Sequence, residues 1–291
     1  MSGAAERDEL RPHGVRLVVA YDGTGFHGWA RQPGARTVQG TLEEAIATMA
    51  GHPVEARGAG RTDRGVHAVG QVAAFDSARA IPPHGWLRGL NQALPDDVAV
   101  RDVQPCAPGY QPRFDAIDKT YRYLLLLDAE RDPLLRHRAW RLPPRLWHPE
   151  RARATDPADR LDLAAMRQAA TQLVGTHDFR AFRAADDHRL QTTRTLHEIR
   201  IDPAWADDRR LVALTVRGSA FMKNMVRILS GTLVDVGRGR LQAAQIPNLL
   251  GPRAVRSAAG PTAPAEGLTL VEVRLGRSAH TTHEHPEAHE P

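Results

Sequence analysis

Short runs of branched and aromatic residues, set among helical patterns in a fixed order, constrain this chain more than any other feature. Val15 to Tyr21, Pro53 to Arg57, Val66 to Phe75 and Val98 to Val103 read as strands, because such side chains suit a pleated, half-buried surface. Between them, Leu42, Ala45, Ile46 and Met49 recur at helical spacing behind Thr41, which with Glu44 makes a capping pair, and a second helix is expected from Pro83 to Ala93. Strand, helix, strand, strand, helix, strand is the order of a ferredoxin-like half. A second half begins after the Pro- and Gly-rich stretch from Gln104 to Pro112. It offers a strand from Arg113 to Leu127, a helix from Asp162 to Val174, and a hairpin of Leu196 to Ile201 with Arg210 to Arg217 around a loop carrying Trp205. A long helix from Ala220 to Val236 and a closing strand up to Arg274 complete it. The expected divisions are a disordered tail over 1–13, halves over 14–112 and 113–276, and a disordered His-rich tail over 277–291. The Pro- and Arg-rich stretch from Arg136 to Asp159 is expected to be loop.

Composition narrows the class of protein. The longest apolar runs are far too short to span a bilayer, and the first residues lack a signal-peptide core, so no membrane is expected and the cytoplasm is the default location. A single cysteine, Cys106, leaves no intrachain disulfide and no Cys-rich zinc cluster, and its neighbours Pro105, Ala107 and Pro108 supply no base to activate it. The net charge of +5 and a pI near 9.9 favour a polyanionic partner. Lys119 and Lys223 are the only lysines among 39 basic residues; the other cations are arginines, whose fork suits phosphate and whose plane stacks on bases.

Chemistry concentrates in Gly58-Ala-Gly-Arg-Thr-Asp-Arg-Gly-Val-His-Ala68, where glycines bracket one carboxylate, Asp63, between Arg61 and Arg64. Flanking positive charge should keep Asp63 ionised. Such a loop is either an exposed turn with a surface salt bridge or a site for an anionic substrate, and local spacing does not decide between them. His67 reads as a general base or as a satisfied structural histidine. In the strand that opens the second half, Lys119, Tyr121 and Tyr123 share one face and Thr120, Arg122 and Leu124 the other. The first face is either a surface for a base and its phosphate or a pair of core aromatics. Arg227 falls among Phe221, Met225, Ile228, Leu229 and Leu233 on the apolar side of the long helix, and a buried arginine needs an anion, for which Asp63 is the candidate. The glycine- and aromatic-rich Asp22 to Trp29 lacks the Gly-Lys-Ser/Thr ending of a phosphate-binding loop, which argues against nucleotide hydrolysis.

Eight blocks in register resemble the tRNA pseudouridine synthase A family. They are Tyr21-Asp-Gly-Thr-Gly-Phe-His-Gly-Trp29, Thr37-Val-Gln-Gly40, the Asp63 loop, Ala93-Leu-Pro-Asp96, Arg113-Phe-Asp-Ala116 with Tyr121-Arg-Tyr123, His177-Asp-Phe179, Met225-Val-Arg227, and Ala263-Pro-Ala-Glu-Gly-Leu268. The likeness spans roughly residues 15 to 275. Three departures stand out: Arg64 where the family commonly has Ala, Arg31 where a Gln-containing run is usual, and Gln111-Pro112 in place of a His-Ala before Arg113. The stretch from Arg145 to Arg160 looks like a family-variable insertion.

The resemblance implies an α+β pseudouridine synthase fold: two ferredoxin-like-related halves forming an extended, mostly antiparallel sheet, with helices on one face and an RNA cleft between the halves. It implies a homodimer acting on the anticodon arm of tRNA, at positions 38, 39 and 40, where uridine is flipped out and isomerised to pseudouridine. By family match Asp63 is the catalytic acid, attacking ribose C1′ or removing a ribose proton. Arg227, and Arg61 beside it, would pair with Asp63, and Tyr121 would stack on the flipped uracil. Arg61 or Arg64 would take the place of the departed base, with Arg31, Lys119 and Arg122 assigned to substrate binding. No redox cofactor or nucleotide is implied, because product and substrate are isomers, and no catalytic metal is implied either. Two rivals remain at this point: an RNA-binding module without catalysis, and a metal-dependent nuclease, for which the loop offers too few acids.

Overall fold

The computed structural model describes residues 12–276. The tails expected to be disordered fall outside these residues, apart from Pro12 and His13, and His13 already opens the first strand. In chain order the elements are β1 His13–Tyr21, α1 Val38–Ala50, β2 Arg57–Gly58, β3 His67–Ser77, α2 Pro83–Ala93, β4 Val98–Cys106, the one-turn α3 Pro112–Asp115, β5 Ala116–Leu126, β6 Trp140–Arg141, α4 Leu163–Leu173, β7 Gly175–Asp178, β8 Thr193–Pro203, β9 Leu211–Gly218, α5 Met225–Gly237 and β10 Leu268–Leu275. Strand pairing is mostly antiparallel and the fold is α+β, as the resemblance implies. No helix among the described residues is long and apolar enough to cross a membrane.

Two compact units emerge. Among the described residues the first comprises 12–62, Ala68–Ile117 and 273–276; the second comprises Asp63–His67 and Asp118–Glu272. Within the chain the main division falls after Ile117, and the short segment that begins with Asp63 is counted with the second unit.

In the first unit β1 lies between β4 and β3, antiparallel to both, and β2 adds to β3. Leu17 and Val19 at the centre of β1 are fully buried, and Phe75 of β3 meets Trp86 of α2 edge to face at 5.0 Å. The predicted strand from Pro53 to Arg57 shrinks to Arg57–Gly58, since Pro53 has no N–H to donate and Glu55 stays exposed. Helix α1 starts a turn earlier than the Thr41 signal implies. Thr37 is the cap, its hydroxyl accepting the Gly40 N–H, because Val38 continues the buried stripe of Leu42 and Ile46 back by one turn.

In the second unit the order is β5, β9, β8, β7, each pair antiparallel, with β6 parallel to β5. Tyr121, Tyr123 and Leu125 alternate onto the buried side of β5. Helix α4 is capped by Asp162, which accepts from Ala165 N–H, and it packs against α5 and β8. The stretch expected to be loop after Arg136 contains only β6 and short 3-10 turns. Helix α5 departs most from expectation: it begins at Met225, not Ala220, because Asn224 sits in the left-handed region at φ 60°.

Thr37→Ala should lower the unfolding free energy by about 1 kcal/mol, the usual worth of an N-cap side chain, whereas Thr41→Ala should change it by less than about 0.5 kcal/mol. Urea denaturation of both variants tests which threonine caps α1.

Candidate active site

The turn that carries Asp63 closes with the Val66 N–H donating to the Asp63 carbonyl at 3.1 Å. Gly65, at φ +79°, takes the position in such a turn that needs a left-handed residue, and a side chain there would already press on the Ala265 methyl. Arg64 is left exposed at the tip. Thr62, the preceding residue, belongs to the first unit, where its hydroxyl meets the Tyr21 hydroxyl at 2.8 Å and its carbonyl accepts the Trp29 N–H. Gly58, also in that unit, lies against the Trp29 indole so closely that a Cβ would fall 2.6 Å from Nε1.

The groups that attract or donate to the Asp63 carboxylate come from one short segment, Lys223 to Arg227. The Asn224 N–H donates to it, Arg227 Nη1 lies 3.9 Å from Oδ2, and Lys223 adds a second positive charge. At 3.9 Å the Arg227 pair is an ion pair without a hydrogen bond. Two other bonds hold the guanidinium: Nη1 donates to Asn224 Oδ1 at 2.8 Å and Nε to the Ala263 carbonyl at 2.7 Å. The late start of α5 makes this possible. A helical residue 224 would turn its N–H into the helix, whereas the left-handed Asn224 turns it to Asp63 and sends its amide oxygen to Arg227.

Burial dominates the electrostatics. Asp63 keeps about a third of its side-chain surface exposed (34%), and desolvation raises its pKa above the usual carboxylate value. Arg227, then Lys223 and the Asn224 N–H, pull it back down, while Asp186 pushes it up. The outcome is opposite to what Arg61 and Arg64 led us to expect. The cations that act on Asp63 are Arg227 and Lys223, and partial removal from water outweighs them.

Tyr121 is buried on β5 opposite Val216, with its ring 5.1 Å from Phe221 in an edge-to-face contact. Phe221 lies just before the Lys223 to Arg227 segment, so one stretch of chain touches Tyr121 and frames Asp63. Tyr123 belongs to the core: fully buried, it donates its hydroxyl to the Pro264 carbonyl at 2.8 Å, and burial pushes its pKa up. His67 is buried with Nε2 3.2 Å from the Glu266 carbonyl, which fits the structural reading. Arg122, assigned to substrate, lies over the Trp205 ring at 4.6 Å, and burial lowers its pKa. Lys119 is half-buried opposite Gly218. Arg31 and Arg61 belong to the first unit; Arg31 pairs with Glu43 at 3.0 Å, and Arg61 is exposed. Among the described residues, no group of three or more His, Cys, Asp or Glu is placed to hold a metal ion.

Sequence reasoning missed Lys223, Asn224 and the 263–267 backbone. Asn224 was legible in principle: Asn directly before an apolar helical stripe is an N-cap signal, obscured by the equally apolar Ala220 to Met222.

The family model described as tRNA pseudouridine synthase matches residues 17–115 and 169–275, well over half of the chain. The chain belongs to the tRNA pseudouridine synthase family. It is similar to proteins named tRNA pseudouridine synthase A from Geotalea uraniireducens (41% identity over 259 residues, 89% of this chain and 98% of the relative) and Geobacter sulfurreducens (41% over 261, 90% and 99%). A relative of the same name from Myxococcus xanthus is 41% identical over 259 residues, 89% of this chain and 91% of that protein. The family match includes Asp63 and the Phe221 to Arg227 segment; Tyr121 lies between its two matched stretches.

Carbon-detected NMR should show the Asp63 carboxyl titrating above 3.8, and higher still in Arg227→Gln, which removes the stronger cation. A folded-state pKa above the unfolded value means that the native state binds this proton more tightly. This group's own contribution to stability therefore falls as pH rises from about 3.8 through the folded-state value.

Proposed function

We propose that this protein isomerises uridine to pseudouridine in tRNA, with Asp63 acting at the ribose of the flipped nucleotide. The observation that carries this reading is a single carboxylate, largely withdrawn from water and held against an arginine whose own position is fixed by Asn224 and Ala263. The relatives' names bring tRNA and the reaction to this chain.

The chemistry needs one acid. When the bond from C1′ to N1 breaks, its electron pair leaves with the uracil as a delocalised anion that requires little protonation. The base then turns, C5 bonds to C1′, the C5 proton departs to a base, and N1 takes up a proton. Every heavy atom of the uracil is retained, in contrast to glycoside hydrolysis, where a second carboxylate serves water or the leaving group. Water is a competitor here, so a partly desolvated site is an advantage. Asp63 must be ionised both for attack at C1′ and for removal of a ribose proton, and Arg227 and Lys223 supply the charge that permits ionisation despite burial. Tyr121, beside the same segment, is assigned to stack on the uracil and to assist loss of the C5 proton. The anticodon arm as target and a homodimer as acting form belong to the same proposal, resting on the family resemblance alone.

The test is release of tritium to water from tRNA labelled at uridine C5. Wild-type protein should release it, and Asp63→Asn and Asp63→Ala should slow release by about 10²-fold to 10⁴-fold or more, the range for loss of a positioned acid or base. Release undiminished in both variants would overturn the assignment of Asp63. A wild type that binds tRNA without any release would favour the non-catalytic module. Mapping pseudouridine along the product tRNA checks the anticodon arm, and sedimentation equilibrium checks the dimer.

A further inference from the structure

We propose that Lys223 is a phosphate-binding residue of this site, and that Asp186 holds its ammonium ready until the RNA backbone takes it over. This rests on the reading that RNA is the substrate at Asp63. Three bonds tie residue 223 to one loop: its N–H donates to Asp187 Oδ2 at 3.3 Å, its carbonyl accepts the Ala184 N–H at 3.2 Å, and its Nζ meets Asp186 Oδ2 at 2.6 Å. The next residue, Asn224, gives its N–H to Asp63. The ammonium therefore leaves the chain one residue from an N–H that donates to the acid, yet its contact is with a neighbouring carboxylate.

That carboxylate is a weak holder. Asp186 is 67% exposed and Lys223 45%, and an ion pair so open to water is weak and is screened by salt. Two other charges on these segments are committed. Arg227 faces Asp63, and Asp187 is buried and paired with Arg189 at 3.3 Å. A nucleotide whose C1′ reaches Asp63 carries a phosphate at either side of its ribose, and a phosphodiester brings the same single negative charge that Asp186 now offers. Exchange of one anion for the other suits lysine. Its ammonium is a compact charge on a flexible stem, whereas an arginine would fork onto Asp186 and resist transfer. In a chain whose cations are almost all arginine, the lysine stands where a partner must be changed.

Fluorescence anisotropy with a labelled tRNA transcript, repeated over a range of salt, tests the exchange. Lys223→Met keeps the stem and removes the charge. It should lower the slope of log affinity against log salt by about 0.7 to 0.9, the signature of one lost phosphate contact, and raise KM by a larger factor than it lowers kcat. Asp186→Asn should tighten binding in the wild-type background and lose that effect in the Lys223→Met background, because the competition runs through Lys223. An unchanged salt slope in Lys223→Met would overturn the proposal, as would equal tightening by Asp186→Asn in both backgrounds. So would a shift confined to the pH profile, since that would mean Lys223 acts only on the charge of Asp63. Thermal melts of each variant confirm that the fold is intact. Wild-type tritium release is scored separately, so a failed substrate reading and a failed role for Lys223 give different results.

Discussion

A carboxylate drawn part-way out of water must be compensated where it stands, and in this protein the compensation for Asp63 sets demands on much of the second unit. The Arg227 guanidinium reaches the carboxylate only because Asn224 and the Ala263 carbonyl hold it, and Asn224 can do so only because the helix begins after it. Further back, the Ala263 to Gly267 stretch is pinned by the Tyr123 hydroxyl on Pro264 and by His67 near the Glu266 carbonyl. Gly267 is required for that fit, since a Cβ would lie 2.6 Å from the Tyr123 ring. Core packing and site geometry are one arrangement here.

The abundance of arginine translates only partly into surface available to an anion. Arg36 is held by Asp97, Arg57 by Asp76, and Arg210 by Asp128, Asp132 and Asp208 together. Arg122 spends its plane on Trp205, and Arg160 stacks over Trp147. Their charges brace loops and sheet faces more than they advertise a partner. Basic composition thus pointed toward a polyanion for a sound physical reason, but it could not say which cations remain exchangeable.

Much of the architecture was legible because it rests on local periodicity. The strands around Leu17, Phe75 and Val216 and the helices from Pro83 to Ala93 and from Asp162 to Val174 all follow from side-chain pattern. What escaped depends on conformation more than on side-chain type. Thr37 and Thr41 are equally good caps by composition, and buried Val38 chose between them. The apolar stretch before Asn224 reads as helix, and a single left-handed residue ends that reading. At the site, Asp63 and Arg227 stood out as a charge in a glycine loop and a charge in an apolar stripe. The cations beside Asp63 in sequence are not among the groups that shift its carboxylate, whereas residue 227 arrives through the tertiary fold.

The stretch from Ala263 to Glu266 works almost wholly through its peptide groups. Ala263 offers its carbonyl and its N–H to Arg227, Pro264 its carbonyl to Tyr123, and Glu266 its carbonyl to His67. Side-chain replacement leaves such groups in place, so an alanine scan would pass over the segment as inert. Exchanging a single amide for an ester, which weakens a carbonyl without altering any side chain, is the kind of perturbation to which this wall would respond. A structure can thus hide essential atoms in residues whose identity carries little information.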